Sequence, residues 1–113
     1  MNYIMYTTNG GQPFNQILNN NEKIPKEYEL FQNYPNPFNP FTNIKYQVSR
    51  SSNVKLTVFN ILGKEIETLV NQYQIPGTYE IKFNGINYSS GIYFYSLFIN
   101  NRLIETKKMM LIR

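Results

Sequence analysis

Apolar and polar residues alternate in three stretches of the chain, residues 44–48, 54–59 and 78–83. A period of two residues is typical of a β-strand that buries one face in an antiparallel sheet. The alternation assigns three apolar side chains of each stretch to the buried face: Ile44, Tyr46 and Val48; Val54, Leu56 and Val58; Tyr79, Ile81 and Phe83. These stretches therefore predict three half-buried strands.

A central strand and a hairpin are predicted near the end of the chain. Residues 92–99 are apolar on both faces apart from Ser96, which is typical of a strand covered on both sides. Residues 102–112 follow after Asn100 and Asn101. Because Asn tolerates left-handed backbone geometry, this pair predicts a two-residue hairpin turn.

Residues 65–70 alternate less clearly. Their buried candidates are Ile66 with Leu69 or Val70, and a short helix stays an open alternative to a strand. Turns between the strands are marked by Gly and Pro, because Gly accepts positive φ and Pro presets φ. We expect positive φ at four turn glycines: Gly63, Gly77, Gly85 and Gly91.

A proline-rich lead-in, residues 30–40, precedes the first alternating strand. Proline fixes φ and removes a backbone donor, so this stretch can form neither a helix nor a central strand. We expect it to be stiff and extended, with Tyr34 and Phe38 inserted at the edge of the core. Its prolines are Pro35, Pro37 and Pro40.

The strand pattern predicts an all-β antiparallel sandwich. About seven strands at roughly ten-residue spacing, one of them a short extended piece near Leu30, are typical of that architecture. Residues 1–29 are rich in Asn, Gly and Gln and show neither period, so they predict a flexible leader or linker. We expect one domain, residues 30–113, because the chain of 113 residues has no room for a second.

The composition argues against an enzyme. The chain contains no Cys, no His and no Asp, which excludes thiol nucleophiles, imidazole bases and the usual metal ligands. We expect no cofactor and no metal. Ser89-Ser90 is better explained as a loop than as a nucleophile, and the pair Glu65 and Glu67, placed on one strand face, as solubilising charges.

Charge and hydropathy narrow the partners. The net charge is +4, but the basic residues lie singly apart from Lys107-Lys108, so nucleic-acid binding is not predicted. No run approaches the roughly 18 apolar residues of a membrane-spanning helix. Residues 1–12 lack the basic and then apolar pattern of a secretory signal peptide.

Four segments between Tyr28 and Arg113 carry a resemblance to a known family. The first lies in the lead-in and comprises Asn33, Tyr34, Pro35, Asn36, Pro37, Phe38, Asn39 and Pro40. The second and third are residues 58–63, with Gly63, and residues 90–95, with Gly91. The fourth is the closing segment, Lys107, Lys108, Met109, Met110, Leu111, Ile112 and Arg113. Together they resemble the C-terminal sorting domains of the type IX secretion system, in the immunoglobulin-like type A class.

The resemblance implies a fold, a function and partners. It implies an immunoglobulin-like β-sandwich that directs an attached passenger protein across the outer membrane through the secretion machinery. A sortase-like protease then removes the domain, with cleavage around residues 19–29. Relatives reach the cell surface or the medium through the periplasm behind a signal peptide. The closing segment is the implied recognition site, with Lys107, Lys108 and Arg113 as its exposed candidates.

The chain departs from the family pattern at two places, and one alternative function stays open. Phe83-Asn84-Gly85 stands where Trp-Asp-Gly is usual, and residues 48–50 replace a Leu-Pro pair. The alternative is a structural or adhesive immunoglobulin-like module at the cell surface. Its sugar-stacking candidates are Tyr93 and Tyr95 on one face of a strand and Phe94 and Phe98 on the other, although core packing is the simpler interpretation.

Overall fold

The computed structural model describes residues 27–113, and the predicted leader falls almost entirely outside them. Its strands are β1 (Tyr28–Leu30), β2 (Phe41–Val48), β3 (Ser52–Phe59), β4 (Glu65–Gln74), β5 (Gly77–Asn84), β6 (Gly91–Ile99) and β7 (Arg102–Leu111). β1 begins at Tyr28, slightly before the predicted domain boundary at residue 30. The described part contains no helix, and so none that could cross a membrane.

The strands form two antiparallel sheets, which confirms the all-β prediction. One sheet has three strands in the order β1-β2-β5, and the other has four in the order β4-β3-β6-β7. In a constant-type immunoglobulin sandwich the fourth strand joins the sheet of the first two, whereas here β4 pairs with β3. β6 lies inside its sheet, as its two apolar faces predict. The β6–β7 hairpin turns at Asn100 and Asn101, with φ of 51° and 68°.

Apolar side chains from both sheets meet in one core. Ile44, Leu56, Val58 and Phe83 have no exposed surface, so the alternation of β2, β3 and β5 is confirmed. Tyr79 and Ile81 are only half-buried and pack against the core from the edge strand β5. The buried apolar set is Leu30, Phe38, Ile44, Tyr46, Val48, Val54, Leu56, Val58, Val70, Phe83, Tyr93, Tyr95, Leu97, Ile99, Met109 and Leu111.

Residues 65–70 form a strand, not a helix, and this strand continues to Gln74. Its weak alternation has a structural cause, because the pairing of β4 with β3 contains two register irregularities. Each irregularity changes which face the following side chains occupy. As a result Val70 is buried, while Ile66 and Leu69 are half-buried against the core.

The turn glycines divide into two kinds. Three have positive φ: Gly63 at 84°, Gly77 at 159° and Gly91 at 148°. The prediction was wrong for Gly85, which is buried and is not among the glycines with positive φ. A Cβ atom there would lie 3.2 Å from Phe38 Cε2 and 3.2 Å from Leu111 Cδ2. Close packing, not a turn conformation, requires glycine at this position.

The lead-in places its two aromatic residues differently from the prediction. Phe38 is buried, but Tyr34 is 79% exposed and does not insert at the core. The backbone of Tyr34 explains this, because its N–H and C=O both bond to Asn43, at 3.0 and 2.9 Å. Residues paired across strands point to the same side of a sheet, and Asn43 lies on the solvent side between buried Thr42 and Ile44.

Candidate functional site

The lead-in runs beside the edge of β7 that does not face β6, and the two meet in a parallel bridge between Phe38 and Leu111. Because the hydrogen bonds use backbone groups of that edge, the lead-in covers an edge that would otherwise stay unpaired. The donors and acceptors are Gln32 Nε2 to Lys108 O (2.7 Å), Met110 N to Asn36 Oδ1 (3.0 Å), Phe38 N to Met110 O (2.9 Å) and Ile112 N to Phe38 O (2.9 Å).

Phe38 anchors this contact in the core. Its ring meets Phe83 edge-on, with ring centroids 5.9 Å apart and an interplanar angle of 67°. The ring also lies against Gly85 and so near Leu111 of β7. Gly85 N in turn donates to Pro40 O at 2.8 Å. The lead-in, the loop after β5 and the end of β7 therefore pack around one aromatic side chain.

Asn33 holds the lead-in in shape from inside. Its side chain is buried, and Nδ2 donates to Pro35 O at 3.1 Å and to Thr42 Oγ1 at 2.9 Å. The Thr42 hydroxyl also donates to Pro35 O, at 2.8 Å. Gln32 Nε2 completes the network with a bond to Asn33 Oδ1 at 2.8 Å. A buried network whose members are satisfied rigidifies the segment that carries it.

A pocket of 240 Å³ opens where the lead-in meets the outward face of β7. Lys108 supplies its charged group and Met110, 42% exposed, an apolar wall. The residues lining it are Asn36, Pro37, Ile92, Lys108, Met109 and Met110. Two segments of the family resemblance thus line one surface feature, although they lie some 70 residues apart in the sequence.

The closing segment alternates between core and surface. Met109 and Leu111 are buried in the core, whereas Lys108, Met110 and Ile112 are exposed. The buried pair fixes β7 to the rest of the sandwich. The exposed side chains are the ones available to a partner of the folded domain.

The two remaining basic candidates have contacts within the domain. Lys107 is half-buried, and its Nζ lies 3.0 Å from Glu105 Oε2. Arg113 is exposed, yet its Nη1 donates to Ile86 O at 2.8 Å and to Tyr88 O at 2.6 Å. Lys108 has no ion pair among residues 27–113. Of the three lysine and arginine candidates, Lys108 is thus the most accessible charge.

Tyr88 links β4 to the loop that Arg113 holds. Its ring stacks on Phe83, with centroids 5.8 Å apart, and its hydroxyl donates to Glu67 Oε1 at 2.7 Å. Burial, and after it the Glu67 carboxylate, raises the pKa of Tyr88 to about 12. The loop is therefore tied to β4 by a hydroxyl that stays protonated at neutral pH.

The arrangement offers no catalytic chemistry in the described residues. The prediction that Glu65 and Glu67 share one strand face was wrong, because the irregular register pairs Glu65 with Phe59 and Glu67 with Val58. The two carboxylates thus lie on opposite faces of β4 and bind different hydroxyls, those of Thr68 and Tyr88. Within residues 27–113 no three acidic side chains are grouped to hold a metal ion.

Sequence reasoning missed the packing that makes this a composite site. Ile92 lines the pocket from β6, and Gly85 makes room for Phe38. The period of two along β6 assigns Ile92 to the outward face, so this signal was present. No local pattern predicts the approach of Gly85, because it depends on side chains far away in the sequence.

The chain belongs to the secretion system C-terminal sorting domain family, whose model matches residues 32–112. Membership implies a C-terminal sorting signal for type IX secretion. No curated protein matches the chain significantly.

One solved structure with partial similarity is an alkylpurine DNA glycosylase of Pseudomonas fluorescens bound to DNA containing an abasic-site analogue. The TM-score is 0.48 at 11% identity, covering 80% of this chain. The chain spans only 32% of the length of that protein. A similarity of this size supports no conclusion about function.

The anchoring role of Phe38 predicts the effect of truncating it. Phe38→Ala leaves a cavity between the lead-in, Gly85 and β7, and we expect it to lower the free energy of unfolding by about 3–5 kcal/mol. Urea denaturation followed by circular dichroism measures this loss. Tyr34→Ala is the matched control in the same segment, because its side chain is exposed, and should change stability by less than about 0.5 kcal/mol. Equal losses in both variants would contradict the assigned roles.

The Tyr88–Glu67 pair predicts a shifted titration. Since the folded pKa lies above the ordinary value of 10, the stability that Tyr88 contributes is present below pH 10 and lost as the pH rises toward 12. Glu67→Gln removes the carboxylate charge, so the pKa of Tyr88 should fall toward 10. Tyrosine ¹³Cζ chemical shifts measured against pH test this, with Glu65→Gln as the control. An unchanged Tyr88 titration in Glu67→Gln would refute the pairing.

Proposed function

We propose that this domain directs an attached passenger protein across the outer membrane through the type IX secretion system and is then cleaved off. The passenger reaches the cell surface or the medium. The observation that carries the proposal is the junction of the lead-in with β7, where two segments of the family resemblance share four hydrogen bonds and one pocket. Family membership over residues 32–112 supplies the context.

The chemistry of the junction suits recognition. It presents an exposed cation, two exposed apolar side chains and a shallow pocket on a rigid support. Interfaces draw their affinity from a few apolar or cationic anchors in such pockets. We assign the contact with the secretion machinery to Lys108, Met110 and Ile112. Lys107 and Arg113 support it, and Met109 and Leu111 hold the strand in place.

The pairing of β1 places a bound on the cleavage site. A protease needs an extended segment free of sheet hydrogen bonds. Tyr28, Glu29 and Leu30 pair with Val48, Gln47 and Tyr46 of β2. Of the segment implied by the resemblance, residues 19–27 therefore fit cleavage by a sortase-like protease, and the paired residues do not. The released domain then corresponds closely to the proposed unit, residues 30–113.

A secretion assay tests the function. The full chain is fused behind a fluorescent reporter that carries a signal peptide, in a bacterium with type IX secretion. We expect fluorescence at the surface and in the medium, and its loss in a secretion-deficient strain. A stable reporter that stays in the periplasm would refute the sorting function, and glycan binding by an adhesive module would then be tested.

Point variants in the same assay test the recognition residues. Deleting residues 107–113 would remove two core side chains, so substitutions of the exposed residues are the cleaner test. Replacing Lys108, Met110 and Ile112 together by Ser should lower export by about tenfold or more. Leu103→Ser is the control, because Leu103 is exposed on the same strand and lies away from the pocket. Export unchanged in the triple variant, with folding intact, would refute the assignment.

A further inference from the structure

The outward face of the four-stranded sheet carries a row of four side chains that crosses every strand. The pairings place Lys108 of β7 opposite Phe94 of β6, Phe94 opposite Phe59 of β3, and Phe59 opposite Glu65 of β4. The two rings in the middle are half-buried, and the two charged residues at the ends are exposed. The row therefore reads cation, aromatic, aromatic, anion.

Two further rows continue this face along the strands. The next consists only of hydroxyl side chains, and the one after it places a lysine beside an aromatic ring, with Lys55 Nζ 5.8 Å from the centre of Phe98. In the order β7, β6, β3, β4 these rows are Thr106, Ser96, Thr57 and Thr68, and then Leu103, Phe98, Lys55 and Asn71. The small hydroxyl row forms a shallow valley between two rows that contain aromatic residues.

The outward face of the three-stranded sheet is built differently. There Lys45 of β2 lies directly opposite Glu80 of β5, and Lys82 Nζ lies 4.8 Å from the ring centre of Phe41. Charges on that face thus meet partners within the same molecule. On the four-stranded sheet, Lys108 and Glu65 are three strand spacings apart, about 14 Å. At that distance between exposed groups, salt screens most of their attraction.

We propose that a second copy of this chain covers the four-stranded sheet in a face-to-face dimer. A twofold axis parallel to the strands, running between β6 and β3, reverses the order of each row in the second copy. Lys108 of each copy then lies over Glu65 of the other, and Phe94 over Phe59. The same axis places Lys55 over the second copy's Phe98. The face is therefore self-complementary in both charge and apolar surface, which an isologous interface requires.

The size of the face sets the strength of the dimer. Four strands at about 4.8 Å and three rows at about 6.7 Å cover roughly 400 Å² on each copy. Sheets pack aligned at about 10 Å, which suits a face that carries rings and hydroxyls. An interface of this size is small, so the dimer is weak and reversible. It goes beyond the proposed sorting function and does not depend on it.

Charge exchange between the two ends of the first row tests the dimer. Sedimentation velocity on the full chain from about 10 μM to about 1 mM covers the range expected of a small interface. Lys108→Glu and Glu65→Lys should each weaken association at least about tenfold, because each places like charges together. The double variant Lys108→Glu with Glu65→Lys should restore it, since the charges are exchanged. Lys82→Glu, on the other sheet, is the control and should leave association unchanged.

Each outcome decides the proposal. Restoration in the double variant, with unchanged circular dichroism in all variants, establishes the twofold contact of Lys108 with Glu65. A monomer at every concentration in the unaltered chain overturns the dimer. A dimer that both single variants leave unchanged, or that the double variant fails to restore, places the interface elsewhere and overturns this geometry.

Discussion

The burial of Phe38 is the contact on which the arrangement of this domain depends. Its ring joins a proline-rich segment that lies outside both sheets to the end of β7 and to the loop after β5. The prolines of the lead-in cannot take part in a regular ladder, so side chains and single backbone bonds must hold it. Because Gly85 gives up its side-chain volume to the ring, three segments distant in sequence share one packing site.

The same contact connects fold with function. β7 is an edge strand, and an open edge invites pairing with other chains. The lead-in covers that edge and leaves the outward side chains of β7 accessible, so the domain presents side chains and not bare backbone to a partner. The pattern of core and surface along the closing segment follows from this. Alternate residues fix the strand, and those between them form the surface proposed for the secretion machinery.

Much of the fold could be predicted from the sequence, because a period of two fixes which side of a strand is buried. The method was least informative for residues 65–70, where register irregularities disturb the period, and it misplaced Tyr34, whose backbone pairing turns its side chain to solvent. The closing segment was identified through the family resemblance. The composite pocket and the role of Gly85 were not predicted, since they depend on contacts between residues far apart in the chain.

Amide hydrogen exchange measured by NMR tests the central contact most directly. Met110 and Ile112 donate their backbone N–H groups to Asn36 Oδ1 and Phe38 O, on the edge of β7 that faces the lead-in. The account predicts that both amides are protected in the unaltered chain and that Phe38→Ala removes this protection before that of β6 is lost. Exchange of both amides at the rate of an unstructured chain, in a folded domain, would contradict it.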